Sequence, residues 1–152
     1  MEDLLSAACN EIIRRSTILV AEDDEMDAFM IETAFCGANL RHLLKFVRDG
    51  QEAIHYLQGN APYSDRRQFP VPDLLLLDLK MPRVDGFEVL RWLQLSGLSG
   101  PPVLVLSGSD LEPDKERALK LGAREYHVKS GELAKMRDFL KEVCERWLAQ
   151  VG

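Results

Sequence analysis

From Ser16 onward, short apolar runs alternate with segments of helical periodicity five times over. Thr17-Ile18-Leu19-Val20 opens the series. The stretch behind it puts Met26, Phe29, Met30 and Thr33 on one helical face before Gly37, a residue suited to the left-handed position that ends a helix. The second run, Lys45-Phe46-Val47, is weaker; Ala53, Ile54 and Leu57 follow at helical spacing, and Gly59 closes that helix. Leu74-Leu75-Leu76-Leu77 does not alternate at all, as expected of a strand covered by helices on both faces. It reads as the middle of a sheet. A third helix is predicted over residues 87–95, ahead of Gly97. A fourth strand, Val103-Leu104-Val105-Leu106, lies between Pro101-Pro102 and Ser107-Gly108. The fourth helix carries Pro113 in its first turn, where a missing N–H costs little, and stops by Gly122. Tyr126-His127-Val128 forms the fifth strand. Ser130 is placed to cap a last helix in which Leu133, Met136, Phe139, Leu140, Val143, Trp147 and Leu148 recur at helical spacing.

Repeated strand–helix units build a parallel sheet, and right-handed crossovers wind it with helices on both faces, so the predicted class is α/β, doubly wound and five-stranded. Two segments fall outside the rhythm. Residues 1–15 carry Leu4, Leu5, Ala8, Ile12 and Ile13, consistent with a short amphipathic helix in an N-terminal extension. Residues 58–72, with Pro62, Pro70 and Pro72, form a long loop that reads equally well as a functional element or a disordered, bland insertion.

In such a sheet ligands bind at the carboxyl ends of the strands. Strand one ends in Glu22-Asp23-Asp24, strand three in Asp78, strand four in Ser107 and strand five in Lys129. Acids gathered this closely oppose one another unless a cation offsets them. Oxygen donors without histidine or thiol favour a hard divalent ion, and Mg²⁺ fits best. Asp78 is then free to attack a phosphoryl donor as a carboxylate nucleophile, with Lys129 and the Ser107 hydroxyl holding phosphoryl oxygens. Any one of these residues alone is an ordinary turn acid or helix cap. Four compatible residues at four predicted strand ends are not.

Composition narrows the partners. A chain of 152 residues suits one domain. Nineteen Lys and Arg against 25 Asp and Glu give −6, which repels a polyanion, and no basic stripe is present, so no nucleic-acid partner is expected. The longest apolar run is strand-sized, so no membrane partner is expected either. The first residues lack the pattern of a secretory signal. Cys9, Cys36 and Cys144 are odd in number and widely spaced, which suits reduced thiols in a cytoplasm better than a disulfide framework or zinc site. His42, His55 and His127 have no partner motif and read as structural or exposed.

Ile18-Leu19-Val20-Ala21-Glu22-Asp23-Asp24, the segment Leu75-Leu76-Leu77-Asp78-Leu79-Lys80-Met81-Pro82-Arg83-Val84-Asp85-Gly86, then Val105-Leu106-Ser107, Gly122-Ala123 and Tyr126-His127-Val128-Lys129 resemble the receiver domain of two-component response regulators. The resemblance covers about residues 16–148 and assigns 16–152 to the receiver domain. It implies a flavodoxin-like strand order 2-1-3-4-5, with Asp78 as phosphoacceptor. It also implies Asp23 nearest the Mg²⁺, Glu22 beside it or acting through water, and the Lys80 backbone carbonyl completing the coordination. Ser107 and Lys129 match the family's hydroxyl and lysine, and Tyr126 its aromatic switch; Asp24 stays away from the metal. Tyr126 reads equally well as a half-buried aromatic.

The implied donor is a phosphohistidine of a sensor histidine kinase or phosphotransfer protein. The implied output is a repacked face of helix four, strand five and helix five that meets a downstream protein target, since no further domain follows Leu148. The 58–72 loop and Glu145-Arg146-Trp147-Leu148 are similar to the small single-domain regulators that partner bacteriophytochromes. A Trp-bearing last helix is compatible with a homodimer, though Trp147 fits a core position as well.

Most receivers follow the lysine with a proline in a cis peptide, whereas here Ser130 follows Lys129. A cis Lys129–Ser130 bond would cost roughly 2.5–4 kcal/mol, so a trans bond and an altered loop are compatible with the sequence. Lys80 and Ser109, two residues beyond Asp78 and Ser107, are neither acid nor amide, which predicts slow self-dephosphorylation. Three other readings compete. A haloacid dehalogenase-type Mg²⁺-dependent hydrolase wants a second Asp where Lys80 stands. A flavin binder wants a Ser/Thr/Gly-rich phosphate loop where the acids stand. A pseudo-receiver scaffold would not need the full set of acceptor, acids, hydroxyl and lysine.

Overall fold

The computed structural model describes residues 15–148. Five strands, β1 (Thr17–Ala21), β2 (Leu43–Val47), β3 (Leu74–Leu77), β4 (Val103–Ser107) and β5 (Glu125–Val128), alternate with five helices. The helices are α1 (Glu25–Gly37), α2 (Gly50–Gln58), α3 (Gly86–Ser96), α4 (Glu112–Lys120) and α5 (Leu133–Trp147). All pairings are parallel and the strand order is β2-β1-β3-β4-β5, the order the resemblance implies. The central register pairs Leu19 with Leu75 and Leu77 with Val105.

The unbroken apolar strands resolve into two cores. Leu19, Ala21, Leu75, Leu77, Val103 and Val105 face α2, α3 and α4 through Ala53, Tyr56, Leu57, Val89, Leu90 and Ala118. Their neighbours Ile18, Val20, Leu74, Leu76, Leu104 and Leu106 face α1 and α5 through Ile31, Ala34, Phe35, Met136, Leu140 and Val143. Successive side chains point to opposite faces, so a strand buried on both sides must be apolar at every position. The five strands thereby end along one edge.

Side-chain caps set where three of the helices begin. Asp24 accepts from the Met26 and Asp27 N–H groups, Asp49 from Glu52 and Asp85 from Glu88. Gly59 and Gly97 close α2 and α3 in the left-handed conformation, as their positions predict.

Several details differ from expectation. The left-handed residue after α1 is Asn39 (φ 54°), not Gly37, because the helix runs through Gly37 to a right-handed Ala38. α1 packs through Ile31, Ala34 and Phe35, leaving Met26 74% and Phe29 65% exposed. Phe29-Met30-Ile31 offers apolar groups around much of the helix, so periodicity alone could not choose the face. Ser130 does not cap α5; its hydroxyl accepts from the Glu132 N–H, and Glu132 occupies the cap position.

The 58–72 segment is a packed structure. Arg66 donates to the Leu57 and Phe69 carbonyls, both at 3.2 Å, and Tyr56 donates its hydroxyl to the Pro70 carbonyl at 2.9 Å. Tyr56, Tyr63 and Phe69 cluster with ring centroids 5.0–6.0 Å apart. All but Arg15 of the 1–15 extension, including its expected helix, lies outside the described residues. Among the described residues no helix is long and apolar enough to cross a membrane.

Candidate functional site

Backbone pairing carries the chemistry-bearing residues just past the sheet edge. The Glu22 N–H donates to the Val47 carbonyl (3.0 Å) and the Asp78 N–H to the Ala21 carbonyl (3.1 Å). These bonds extend the ladder one residue beyond β1 and β3. Glu22 and Asp78 are consequently buried while Asp23 is exposed. One carboxylate oxygen from each of Glu22, Asp23 and Asp78 lies within 4.8 Å of the others. The Leu79 N–H donates to Asp78 Oδ1 (2.8 Å), fixing the carboxylate plane.

Gly86 seats this corner. A Cβ there would stand 2.3 Å from the Asp78 carbonyl oxygen, so only glycine lets α3 start against the strand end. Its N–H donates to the Leu79 carbonyl at 2.9 Å.

Lys129 arrives from the far side of the edge. Its N–H donates to the Ser107 carbonyl (2.7 Å), continuing the β4–β5 pairing, and its side chain crosses to the acids. Nζ lies 2.8 Å from Asp27 Oδ2, 2.9 Å from Glu22 Oε1 and 3.3 Å from Asp78 Oδ2. Burial and the neighbouring Asp78 push the Glu22 carboxyl up to about 8, against the pull of Lys129. Burial would lower the lysine, but the surrounding carboxylates outweigh it and hold Lys129 above its ordinary value. One ammonium among these acids leaves negative charge uncompensated. The donor set is all oxygen, so the cluster fits a hard divalent cation.

Ser107 is fully buried, and its hydroxyl accepts from the Ser109 N–H (3.2 Å). Ser109 is a junction. Its hydroxyl donates to Asp114 Oδ2 in the first turn of α4 (2.6 Å), and its carbonyl accepts from the Tyr126 hydroxyl (2.7 Å). Tyr126 therefore points inward to the β4–α4 loop, while the Lys80 side chain is exposed. Asp24 serves as the α1 cap, and the carboxylate cluster is made by Glu22, Asp23 and Asp78. The Lys129–Ser130 peptide is trans. A cleft of about 470 Å³ opens beside the acids, lined by Glu22, Asp23, Phe29, Glu32, Phe46 and Arg48 among others.

Two residues escaped the sequence reading. Asp27 resembles any acid in a helix's first turn, where it complements the dipole, and nothing local links it to Lys129, 102 residues away. Asp114 is hidden in the same way in α4. At the opposite end of the sheet, Glu125 accepts from Arg146 and from Trp147 Nε1 and pairs with His127, which joins β5 to α5. Trp147 is half-buried against the α1–α5 core.

Residues 18–141 match the family model described as response regulator receiver domain. The chain is 33% identical over 135 residues to the response regulator Rcp1 of Synechocystis, covering 88% of this chain and 90% of that one. It superposes on the crystal structure of the phosphorylated cyanobacterial phytochrome response regulator RcpA with a TM-score of 0.77 at 34% identity, covering 89% and 95% of the two chains. It also superposes on the response regulator RPA3017 in red light signalling of R. palustris, with a TM-score of 0.81 at 31% identity, covering 90% and 98%.

Proposed function

The chain belongs to the response regulator receiver domain family, and on that premise we propose that Asp78 accepts a phosphoryl group from the phosphohistidine of a sensor kinase or phosphotransfer protein. The carrying observation is the placement of Asp78 beside Glu22 and Asp23 and 3.3 Å from the Lys129 ammonium. In the transfer the N–P bond of the donor breaks and an O–P bond forms to an Asp78 carboxylate oxygen, the histidine leaving with the electron pair. Asp23, Asp78, the Lys80 backbone carbonyl and Glu22, through water, are the residues that would hold Mg²⁺. Bound there, the ion supplies charge neutralisation to the phosphoryl oxygens.

The protein's own part is positioning. The Leu79 N–H keeps the Asp78 carboxylate from turning, Lys129 offers an N–H to an incoming phosphoryl oxygen, and Ser107 offers its hydroxyl. Drawing that hydroxyl toward the phosphoryl group carries its oxygen away from the Ser109 N–H, and Ser109 is tied to both Tyr126 and Asp114. The β4–α4 loop shifts and the α4–β5–α5 face repacks for a downstream protein target. Lys80 stands in solvent and Ser109 is committed to Asp114, so neither orients a hydrolytic water and the phosphoaspartate is long-lived.

The likeness to phytochrome and red-light regulators supports a phytochrome-type kinase upstream and a cytoplasmic setting. Trp147 turned onto Glu125 supports the core role over a homodimer contact. The hydrolase alternative lacks its second acid at Lys80. Incubating the protein with Mg²⁺ and acetyl phosphate labels the wild type and leaves Asp78→Asn unlabelled. Equal labelling of both removes Asp78 from the role, and an unlabelled wild type leaves the scaffold reading.

A further inference from the structure

An ammonium has three hydrogens to donate, and in Lys129 all three have acceptors. Two of the acceptors, Glu22 Oε1 at 2.9 Å and Asp27 Oδ2 at 2.8 Å, are closer than the third, Asp78 Oδ2 at 3.3 Å. The acceptors differ in what else claims them. Glu22 and Asp78 belong to the carboxylate cluster that fits a divalent cation; Asp27, on the first turn of α1, does not. Its side chain is 40% exposed, against 2% for Glu22, and Lys129 is the partner the structure gives it.

The geometry points to Asp27 as a positioning residue for phosphoryl transfer: it anchors Lys129 from the side away from the metal cluster. Once a cation draws on Glu22, Asp27 is the acceptor left to hold the ammonium at the edge. The N–H now directed at Asp78 then meets a phosphoryl oxygen without a search through lysine rotamers. A four-carbon side chain released from that anchor must be reordered at each transfer. The inference rests on the phosphoacceptor reading above and adds a residue to it.

The test uses the full chain, Mg²⁺ and acetyl phosphate, with wild type and Asp78→Asn as controls. Asp27→Ala is expected to slow labelling roughly three- to tenfold at saturating Mg²⁺, the size of one charge-assisted hydrogen bond discounted for partial exposure. Mg²⁺ half-saturation should stay within about twofold of wild type, since Asp27 is not in the cluster. Asp27→Asn, which keeps an oxygen acceptor, is expected to recover most of the rate. The NMR signal of the Lys129 ammonium, sharp when its hydrogens are held, should broaden in Asp27→Ala and return in Asp27→Asn. Wild-type rates in Asp27→Ala, or an Asp27→Asn variant as slow as Asp27→Ala, overturn the positioning role while leaving Asp78 as acceptor. A wild type that takes no label overturns the phosphoacceptor reading itself.

Discussion

Two glutamates at opposite ends of the sheet show what this fold does with charge. Glu22, at the carboxyl edge, is buried beside another acid, and its carboxyl is pushed up to about 8. Glu125, where β5 begins, is pulled down to about 2, chiefly by Arg146, with His127 and Trp147 adding hydrogen bonds. The second carboxylate has every donor it needs and ties β5 to α5. The first sits among like charges with one lysine shared three ways. A satisfied acid is a fastener, whereas an under-compensated one is an invitation to a cation and a phosphoryl group.

The sharpest way to break that contrast is to remove the shared cation. Lys129→Ala should lower the acetyl phosphate labelling rate by about 10²-fold, the usual loss for one donor aimed at developing charge. A stopped time course with labelled donor measures it. A rate within a factor of about two of wild type would mean that the lysine compensates the acids without serving the transfer.

The next effect is on stability, and the two ends should respond to pH with opposite signs. Glu125 has a folded value near 2, below the ordinary glutamate value of 4.5, so its contribution is present above about 4.5 and is lost as pH falls toward 2. Glu22 has a folded value near 8, above 4.5, so in metal-free protein the folded state holds a proton that the unfolded state releases. Its contribution therefore falls as pH rises from about 4.5 to 8. Urea unfolding in EDTA across this range checks both. Glu125→Gln should cost about 1–2 kcal/mol at neutral pH, a cost that vanishes near pH 2, while Glu22→Gln should flatten the loss between pH 5 and 8.

The smallest effect sharpens the same contrast. Millimolar Mg²⁺ at pH 7.5 should raise the unfolding midpoint of wild type by the equivalent of about 1 kcal/mol, and less in Asp23→Asn, because a ligand bound only by the folded state stabilises it by mass action. Glu125→Gln should retain the full Mg²⁺ response. Loss of that response in Glu125→Gln would join the two ends into one electrostatic unit.

The strands and their order of burial were legible because the period of a strand is two. Leu74 to Leu77 could be apolar throughout only with helices on both faces, and the two cores divide those residues alternately. The acids, hydroxyl and lysine at the strand ends were legible for a related reason, since a βα unit delivers whatever follows its strand to one edge. Helix faces were less legible. α1 buries Ile31, Ala34 and Phe35 rather than the face of Met26 and Phe29, a choice made by packing against α5 and the sheet.

The sequence by itself determined the repeating strand–helix alternation and the residues that follow each strand, because local periodicity and chain geometry dictate them. Tertiary structure alone decided that Asp27 reaches Lys129, that Ser109 links Ser107, Tyr126 and Asp114, and that Glu22 and Glu125 diverge in acidity. Each of these depends on charges and donors brought together from distant points of the chain. Electrostatic energy follows separation in space and the water excluded between groups, and neither is written in residue order.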